Sequence, residues 1–244
     1  MKYGVLGDIH GNLTALETTI GYLSDQQVDR IISLGDVVGY GAAPGACIAR
    51  LREVNAIVVK GNHDAAVAGE LDLMYFNQYA REAVHWTQSV LNEEETRWLS
   101  ELPLLVDLEH CSAAHGTYER PERFDYIQST TDGDPSLDAM VRPVCFVGHT
   151  HVPVTLLRLT EDPHRTAYTC DEILDLSEVD KALVNVGSVG QPRDDDPRTA
   201  CAIFDSEAER IVLKRLEYDI ECEAERIRRA GLPGVLGDRL FMGV

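Results

Sequence analysis

Lys2-Tyr3-Gly4-Val5-Leu6-Gly7-Asp8-Ile9-His10-Gly11-Asn12 decides how the rest of the chain is read. Its opening residues are a short apolar run of β type. Gly7 then lets the backbone turn sharply and approach a ligand. A carboxylate and an imidazole follow two residues apart, a pairing that suits a divalent transition metal. Alone, Asp-x-His is a weak signal, and its weight comes from what stands downstream. From Asn12 to Ser24, apolar residues recur at Leu13, Leu16, Ile20 and Leu23, the spacing of a helix, with Asn12 as its cap. Arg30-Ile31-Ile32-Ser33-Leu34 is a second strand and ends in Gly35-Asp36. The opening is a β-α-β unit with a carboxylate at the tip of each strand, and in open α/β sheets sites gather outside the carboxyl ends of strands.

The same grammar repeats. A glycine-rich loop, Val37 to Gly45, lacks the Lys and Ser/Thr of a phosphate-binding Walker loop. Ala46 to Val54 reads as a helix, and Ala56 to Lys60 as a strand ending in Gly61-Asn62-His63-Asp64. Residues 65–100 carry two polar amphipathic helices, Phe76 to Trp86 and Asn92 to Leu99, read as an insertion; Phe76, Tyr79 and Trp86 are spaced for packing. Leu104 to Leu108 and Cys111 to Ala114 are strands, the second ending in His115-Gly116. Pro121 to Ile127 and Pro135 to Val141 read as short helices. Val144 to Val147 is a strand ending in Gly148-His149-Thr150-His151, and Val154 to Leu159 is another. The acidic stretch from Thr160 to Lys181 holds two short β-like segments. Ala182 to Val186 leads into Gly187-Ser188-Val189-Gly190-Gln191-Pro192-Arg193-Asp194. A hairpin (Ala200 to Phe204, Ile211 to Tyr218) precedes a charged helix from Asp219 to Ala230, stopped by Gly231, and an apolar, glycine-bearing tail from Leu232 to Val244. One domain over 1–244 is the economical expectation, with the insertion at about 65–100 and a C-terminal helix and tail at 219–244.

The chain has 244 residues, with 22 Lys plus Arg against 41 Asp plus Glu, a formal charge of −19. That argues against nucleic-acid polymers and anionic membranes, which need a cationic face. An anionic small substrate is still admitted, because bound metal reverses the local sign. The six cysteines are widely spaced, mostly among apolar neighbours, and read as reduced, buried small hydrophobes. Met1 runs straight into a strand with no apolar leader, and no apolar run reaches the ~20 residues of a membrane helix. The expectation is a cytoplasmic protein, with the tail leaving room for homo-oligomerisation.

Asp8, His10, Asp36, Asn62, His63, His115, His149 and His151 all stand at strand ends, and they include five of the eight histidines. Seven candidate ligands (all of these but His63) exceed what one zinc-type ion takes. They suit two ions sharing a carboxylate, a clamp that can hold a phosphate and a nucleophilic water together. Gly7-Asp8-Ile9-His10-Gly11-Asn12, Gly35-Asp36, Gly61-Asn62-His63-Asp64, Ala114-His115-Gly116 and Gly148-His149-Thr150-His151 resemble, in order, the five motifs of the calcineurin-like metallophosphoesterases. The resemblance runs from residue 2 to about 205. Asn185 to Arg193 resembles the small bacterial branch of phosphodiesterases and diadenosine-tetraphosphatase-like proteins.

The resemblance implies an α/β fold: a four-layer α-β-β-α sandwich with two mixed sheets and the site on top of them. It implies that one metal takes Asp8, His10 and His151, the other Asn62, His115 and His149, with Asp36 and a hydroxide bridging. It assigns His63 as the general acid facing the leaving oxygen, a role worth ~10²–10⁴-fold, with Asp64 either orienting that imidazole or capping the next helix. The ions are two divalent metals (Mn, Fe, Zn, Co or Ni), with manganese favoured. One departure stands out. The protein-phosphatase signature G-D-x-x-D-R-G has Asp and Arg where this chain has Gly39 and Tyr40, which favours phosphodiesters over monoester dianions. Arg193 offers a replacement guanidinium, or else a surface ion pair with Asp194, Asp195 or Asp196. Asn12, Tyr40 and Arg193 are the candidate substrate contacts, Asn12 with helix capping as its rival role. The leading reading is a dimetal phosphodiesterase acting by in-line attack on a small or nucleotide-like phosphorylated substrate. The alternatives are a phosphomonoesterase or protein phosphatase, and a non-catalytic scaffold.

Overall fold

The computed structural model describes residues 1–244, the side chain of Tyr75 excepted. The first half runs β1 (Lys2–Leu6), α1 (Leu13–Asp25), β2 (Arg30–Ser33), α2 (Pro44–Glu53), β3 (Ile57–Val58), α3 (Asn62–Val67), α4 (Gln78–Val90), α5 (Glu93–Ser100), β4 (Leu105–Asp107) and β5 (Ser112–Ala114). The second half runs α6 (Thr130–Ala139), β6 (Val144–Val147), β7 (Val154–Leu159), β8 (Asp162–Thr169), β9 (Ile173–Asp175), β10 (Val179–Asn185), β11 (Thr199–Asp205), β12 (Arg210–Leu216), α7 (Ile220–Arg229) and α8 (Gly234–Asp238).

Two six-stranded mixed sheets form, ordered β3-β2-β1-β11-β12-β9 and β4-β5-β6-β10-β7-β8. Period-two burial explains the layering. Along β1, Tyr3 and Val5 join Ile32, Leu34, Phe146, Val184 and Phe204 between the sheets. The intervening Leu6 faces outward into a layer built from α1, α2, α4, α5 and α7. Along β6, Val144 and Phe146 point between the sheets, while Cys145 and Val147 pack outward under Leu137 of α6. The result is helices, sheet, sheet, helix, the α-β-β-α sandwich expected. The two helices of the insertion join the first helical layer through Ala80, Ala83, Val84 and Leu99. Phe76 and Trp86 pack there as their spacing suggests, but Tyr79 stays 47% exposed. In the tail, Leu232, Leu236 and Leu240 turn into the chain's own core.

β1, β2 and β3 are mutually parallel, as are β5, β6 and β10. The carboxyl ends of both trios reach one edge of the sandwich. There the loop after β10 ties the sheets together: Val189 and Gly190 donate their N–H groups to the Gly7 and Asp8 carbonyls at 2.8 and 2.9 Å.

Several boundaries differ from expectation. The third strand shrinks to Ile57–Val58, because the Lys60 N–H turns to the Pro103 carbonyl (2.7 Å), and Asn62 begins a helix. Residues 121–127 form only a 3₁₀ turn at Pro121–Arg123. The next helix starts at Thr130 with Pro135 inside it, because Ser129 and Asp132 cap its first turn, each accepting from the other's end of it. Asp162–Thr169 is a full eight-residue edge strand.

Candidate metal centre

Six of the side chains singled out sit on strained backbone. Asp8 (φ 52°), His10 (50°), Asp36 (49°), Tyr40 (58°), His149 (70°) and His151 (63°) all adopt left-handed conformations, a cost that clusters at functional sites. They lie two to seven residues past the ends of β1, β2 and β6, where the left-handed turns throw the side chains inward instead of along the strand. Two glycines make room. A Cβ at Gly61 would collide with Asp36 Oδ1, and one at Gly148 would lie 2.6 Å from Asp8 Oδ2.

Hydrogen bonds then fix which atoms face the centre. The Nδ1 atoms of His10, His115 and His151 lie 3.1, 2.7 and 2.5 Å from the carbonyl oxygens of Val38, Leu34 and Gln191. A carbonyl only accepts, so each Nδ1 carries the proton and each Nε2 turns a lone pair inward. His10 Nε2 and His151 Nε2 face each other at 3.1 Å. His115 Nε2 faces the Asn62 amide oxygen at 3.1 Å and His149 Nδ1 at 2.9 Å, while His149 Nε2 is buried without a partner among the described residues. At His10 and His151 two lone pairs face each other, an arrangement that a cation between them satisfies. Protonation does not relieve the clash, since burial, and after it the neighbouring cationic groups, holds the His10, His149 and His151 imidazoles well below their usual range.

The carboxylates complete two groups. Asp8 Oδ1 is 3.4 Å from His151 Nε2. Asp36 Oδ2 lies 3.6 Å from His10 Nε2 and 3.5 Å from His115 Nε2, between the two. Asp8, His10, Asp36 and His151 thus converge as one buried ligand group, and Asp36, His115 and His149 as another, with Asp36 in both. Asn62 adds its oxygen to the second. Asp36 is locked from behind by the His63 backbone N–H on Oδ1 (2.8 Å), and Asp8 by the His149 N–H (3.1 Å). Burial raises the pKa of both carboxyls well above the ordinary range, a cost that coordination of a divalent cation removes. The donor set fits two such ions.

His63 stands beside this centre, not in it. Its ring packs against Tyr40, His10 and Phe76 at centroid distances of 4.5, 4.9 and 4.9 Å. Its Nδ1 is buried and unpartnered among the described residues. The orienting role weighed for Asp64 is not the one the geometry gives it. Asp64 Oδ1 accepts from the Val37 and Val38 N–H groups (2.9 and 3.2 Å) and Oδ2 from the Gly61 N–H (2.9 Å). It caps α3 and holds the loop after β2, and burial, against those three donors, lifts its carboxyl to about 7. The position spatially next to the His63 Nδ1 is Gly39, where an added Cβ would collide.

The three candidate substrate contacts separate. Asn12 is spent inside the fold: its oxygen caps α1 at the Ala15 N–H (3.0 Å), and its amide donates to the Gly190 carbonyl (3.0 Å) and the Tyr218 hydroxyl (3.2 Å). Capping, not substrate binding, accounts for it. Tyr40 lies over His10 and His63. Arg193 stacks on Tyr40, its Cζ 5.9 Å from the ring centroid. The surface ion pair weighed for Arg193 does not form: Asp194 pairs with Arg215, and Asp196 with Arg198 and Arg215.

Two cavities share Tyr126, and the first of them opens on the centre. One of ≈ 550 Å³ contains Asn62, His63, Phe76, Arg123 and His149. The other, ≈ 900 Å³, contains Arg193, Thr150, Ile127, Val152 and Tyr168. Tyr126 lines both and stacks on the His149 imidazole, centroids 3.8 Å apart and planes 23° from parallel. Sequence reading gave no role to Tyr126, which it placed in a short helix over 121–127 and which lies instead in the loop after the 3₁₀ turn. It also passed over Asn185, whose amide holds the Gly148 carbonyl (2.6 Å) and the Thr150 hydroxyl (2.9 Å) and so sets the His149 loop.

Comparison with known proteins identifies the family. The calcineurin-like phosphoesterase superfamily domain matches residues 1–209. A metallophosphoesterase from Sphaerobacter thermophilus is 38% identical, with a TM-score of 0.86 over 100% of both chains. The uncharacterised protein MJ0912 of Methanocaldococcus jannaschii is 36% identical across 98% of this chain and 97% of that one. A hypothetical protein of Pyrococcus horikoshii shares the fold at 20% identity, with a TM-score of 0.80 over 100% of this chain and 98% of that one.

Proposed function

The chain belongs to the calcineurin-like phosphoesterase superfamily and is a metal-dependent phosphoesterase; from that premise we propose that it is a phosphodiesterase acting on a small, nucleotide-like ester, with Mn²⁺ as its favoured metal. The observation that carries the diester reading is the pair of cavities meeting at Tyr126. A phosphodiester has two organic arms: the cavity at the centre takes one, and the cavity that adjoins it at Tyr126 takes the other. A monoester would leave one of them empty.

When bound, the two ions supply a hydroxide near neutral pH and positive charge for the phosphoryl oxygens. The chain's own residues do the rest. Asp36 spans both ligand groups with one carboxylate, and Asn62 binds through a neutral amide, so the centre keeps net positive charge for an anionic ester. His63 lines the cavity that takes the departing arm and hands its proton to the leaving oxygen. The ester's own negative charge offsets the cationic surroundings that depress the His63 imidazole. Arg193 stands at the mouth of the other cavity as a hydrogen-bond donor to a non-bridging oxygen.

The test is hydrolysis of bis(p-nitrophenyl) phosphate against p-nitrophenyl phosphate by protein reconstituted with Mn²⁺. The expected result is a kcat/KM for the diester at least tenfold above that for the monoester. A preference for the monoester would transfer the assignment to phosphomonoesterase.

A further inference from the structure

The two cavities that share Tyr126 differ in chemistry. The one that holds His63 is also lined by Glu122, Arg123 and Asp125. Charged residues make up 26% of the chain, yet among the described residues Arg193 is the one charged side chain in the lining of the ≈ 900 Å³ cavity. Two of its walls are exposed aromatic rings, Tyr126 at 50% and Tyr168 at 69%. A single exposed ring is ordinary, but two on one cavity, with the exposed Val152 beside them, mark a binding surface.

The fold explains how the rings come to share it. Tyr168 of β8 stands opposite Leu156 of β7 in register, so both side chains project from the same face of the sheet. That face is the outer one, because Leu156 packs with Leu137 of α6. Thr166 of β8 is hydrogen-bonded to Asp134 of the helix, whereas Tyr168 escapes its cover. Tyr126 arrives from the loop before α6 and lies against the His149 imidazole. Thr150, between the ligands His149 and His151, lines the cavity as well, so it begins where the metal centre ends. Gln128 adds a side-chain amide, a donor and an acceptor in one plane.

We propose that this cavity is a nucleobase subsite: it takes the base of the arm that stays on phosphorus, stacked on a tyrosine ring with its edge toward Gln128. The inference rests on the phosphodiesterase reading for the phosphate that anchors the arm, and on His63 for the assignment of arms, since the departing one lies in the cavity that His63 lines. A base is flat, uncharged and π-faced, and stacking on an aromatic side chain strengthens binding by roughly five- to 150-fold. A cationic arm would find no carboxylate among these walls, and a bare sugar would leave the rings and the apolar surface wet.

Calorimetric titration of the Mn²⁺-loaded full-length protein with AMP, ribose 5-phosphate and phenyl phosphate tests this. The three share a phosphate monoester and differ in what it carries. Wild type binds AMP at least roughly tenfold tighter than ribose 5-phosphate. Tyr168→Ala removes most of that ratio, and Tyr168→Phe, which keeps the ring, retains it. A second readout needs no variant. Cys170 lines the cavity and is the exposed cysteine, the others being buried or half-buried. AMP slows its alkylation by iodoacetamide, followed by peptide mass mapping, and ribose 5-phosphate does not. An AMP to ribose 5-phosphate ratio near one, a ratio unchanged in Tyr168→Ala, or a Cys170 that AMP leaves unprotected overturns the subsite. Phenyl phosphate binding as tightly as AMP overturns the nucleobase and makes the cavity an aryl pocket. A monoester preference in the p-nitrophenyl comparison would overturn the diester reading alone, and the AMP ratio and Cys170 rates would still decide the cavity.

Discussion

Replacing His63 with Ala separates its proposed chemistry from its packing. The imidazole is buried, 4% exposed, yet its Nδ1 has no hydrogen-bond partner among the described residues, so truncation orphans no polar group. The cost to folding is a cavity among Tyr40, Phe76 and His10, on the order of 2–4 kcal/mol. Its backbone N–H, which locks Asp36, is untouched, so metal content stays at the wild-type value. The kinetic effect depends on the leaving group. An alkoxide must be protonated as it departs, and loss of the acid costs ~10²–10⁴-fold, about 3–5 kcal/mol of barrier. A p-nitrophenolate leaves without a proton and loses less than roughly tenfold. The assay is kcat/KM for a dinucleoside monophosphate, followed by chromatography, against bis(p-nitrophenyl) phosphate, with metal measured by mass spectrometry on the same samples. Equal losses on both substrates at full metal occupancy would refute proton donation and make His63 a packing residue.

Three other outcomes follow from the geometry. Asp36→Asn removes the one charge that both ligand groups share, and the bound Mn²⁺ measured after equilibrium dialysis falls from two per chain to below one; retention of two would show that Asp36 is not shared. Thermal stabilisation by Mn²⁺ grows with pH. In the metal-free fold the buried Asp8 and Asp36 carboxyls are raised to about 7, so below that pH the metal must displace their protons in order to bind, and above it binds without that cost. At a metal concentration near 100 Kd, binding adds about 2.7 kcal/mol, roughly 5–10 °C in Tm for a chain of this length; a shift as large at pH 5 as at pH 8 would contradict the linkage. Asp64→Ala orphans three buried N–H groups and costs about 2–4 kcal/mol in urea denaturation, while Asp64→Asn, which keeps an acceptor oxygen, costs less than half as much.

What the sequence made legible follows from its chemistry. Asp8, His10, Asp36, Asn62, His115, His149 and His151 could be read because all are metal-type side chains just after an apolar run, and all but His151 stand next to a glycine. The local pattern that ends a strand is the same pattern that aims its last side chain. Tyr126 carries no such signal. Tyr126 lies in an irregular loop, and its contact with His149 depends on how that loop folds back across β5 and β6. For Asp64 the capping alternative was legible, but its hold on the loop after β2 was not, because the Val37 and Val38 N–H groups are distant in sequence and belong to backbone. Side-chain identity says nothing about a stranded N–H until the loop's path is known.

Gly39 ties these observations together. The protein-phosphatase signature places a carboxylate there, and in this fold that position touches the His63 Nδ1. With glycine instead, no carboxylate orients the imidazole or stabilises its charged form, and Tyr40 and Phe76 hold the ring by packing. Burial then keeps it well below its usual pKa, with the Arg193 charge adding to the effect. A histidine so placed is protonated only when an anion sits beside it. Proton donation is thereby coupled to occupancy of the site, and the alkaline limb of the pH–rate profile, where His63 loses its proton, moves upward in kcat relative to kcat/KM, since kcat reports the occupied site. Arg193→Gln removes a charge that disfavours the imidazolium, so in that variant the His63 limb in kcat/KM shifts to higher pH. A limb that stays in place would mean that packing alone, and not the arginine, sets the protonation of His63.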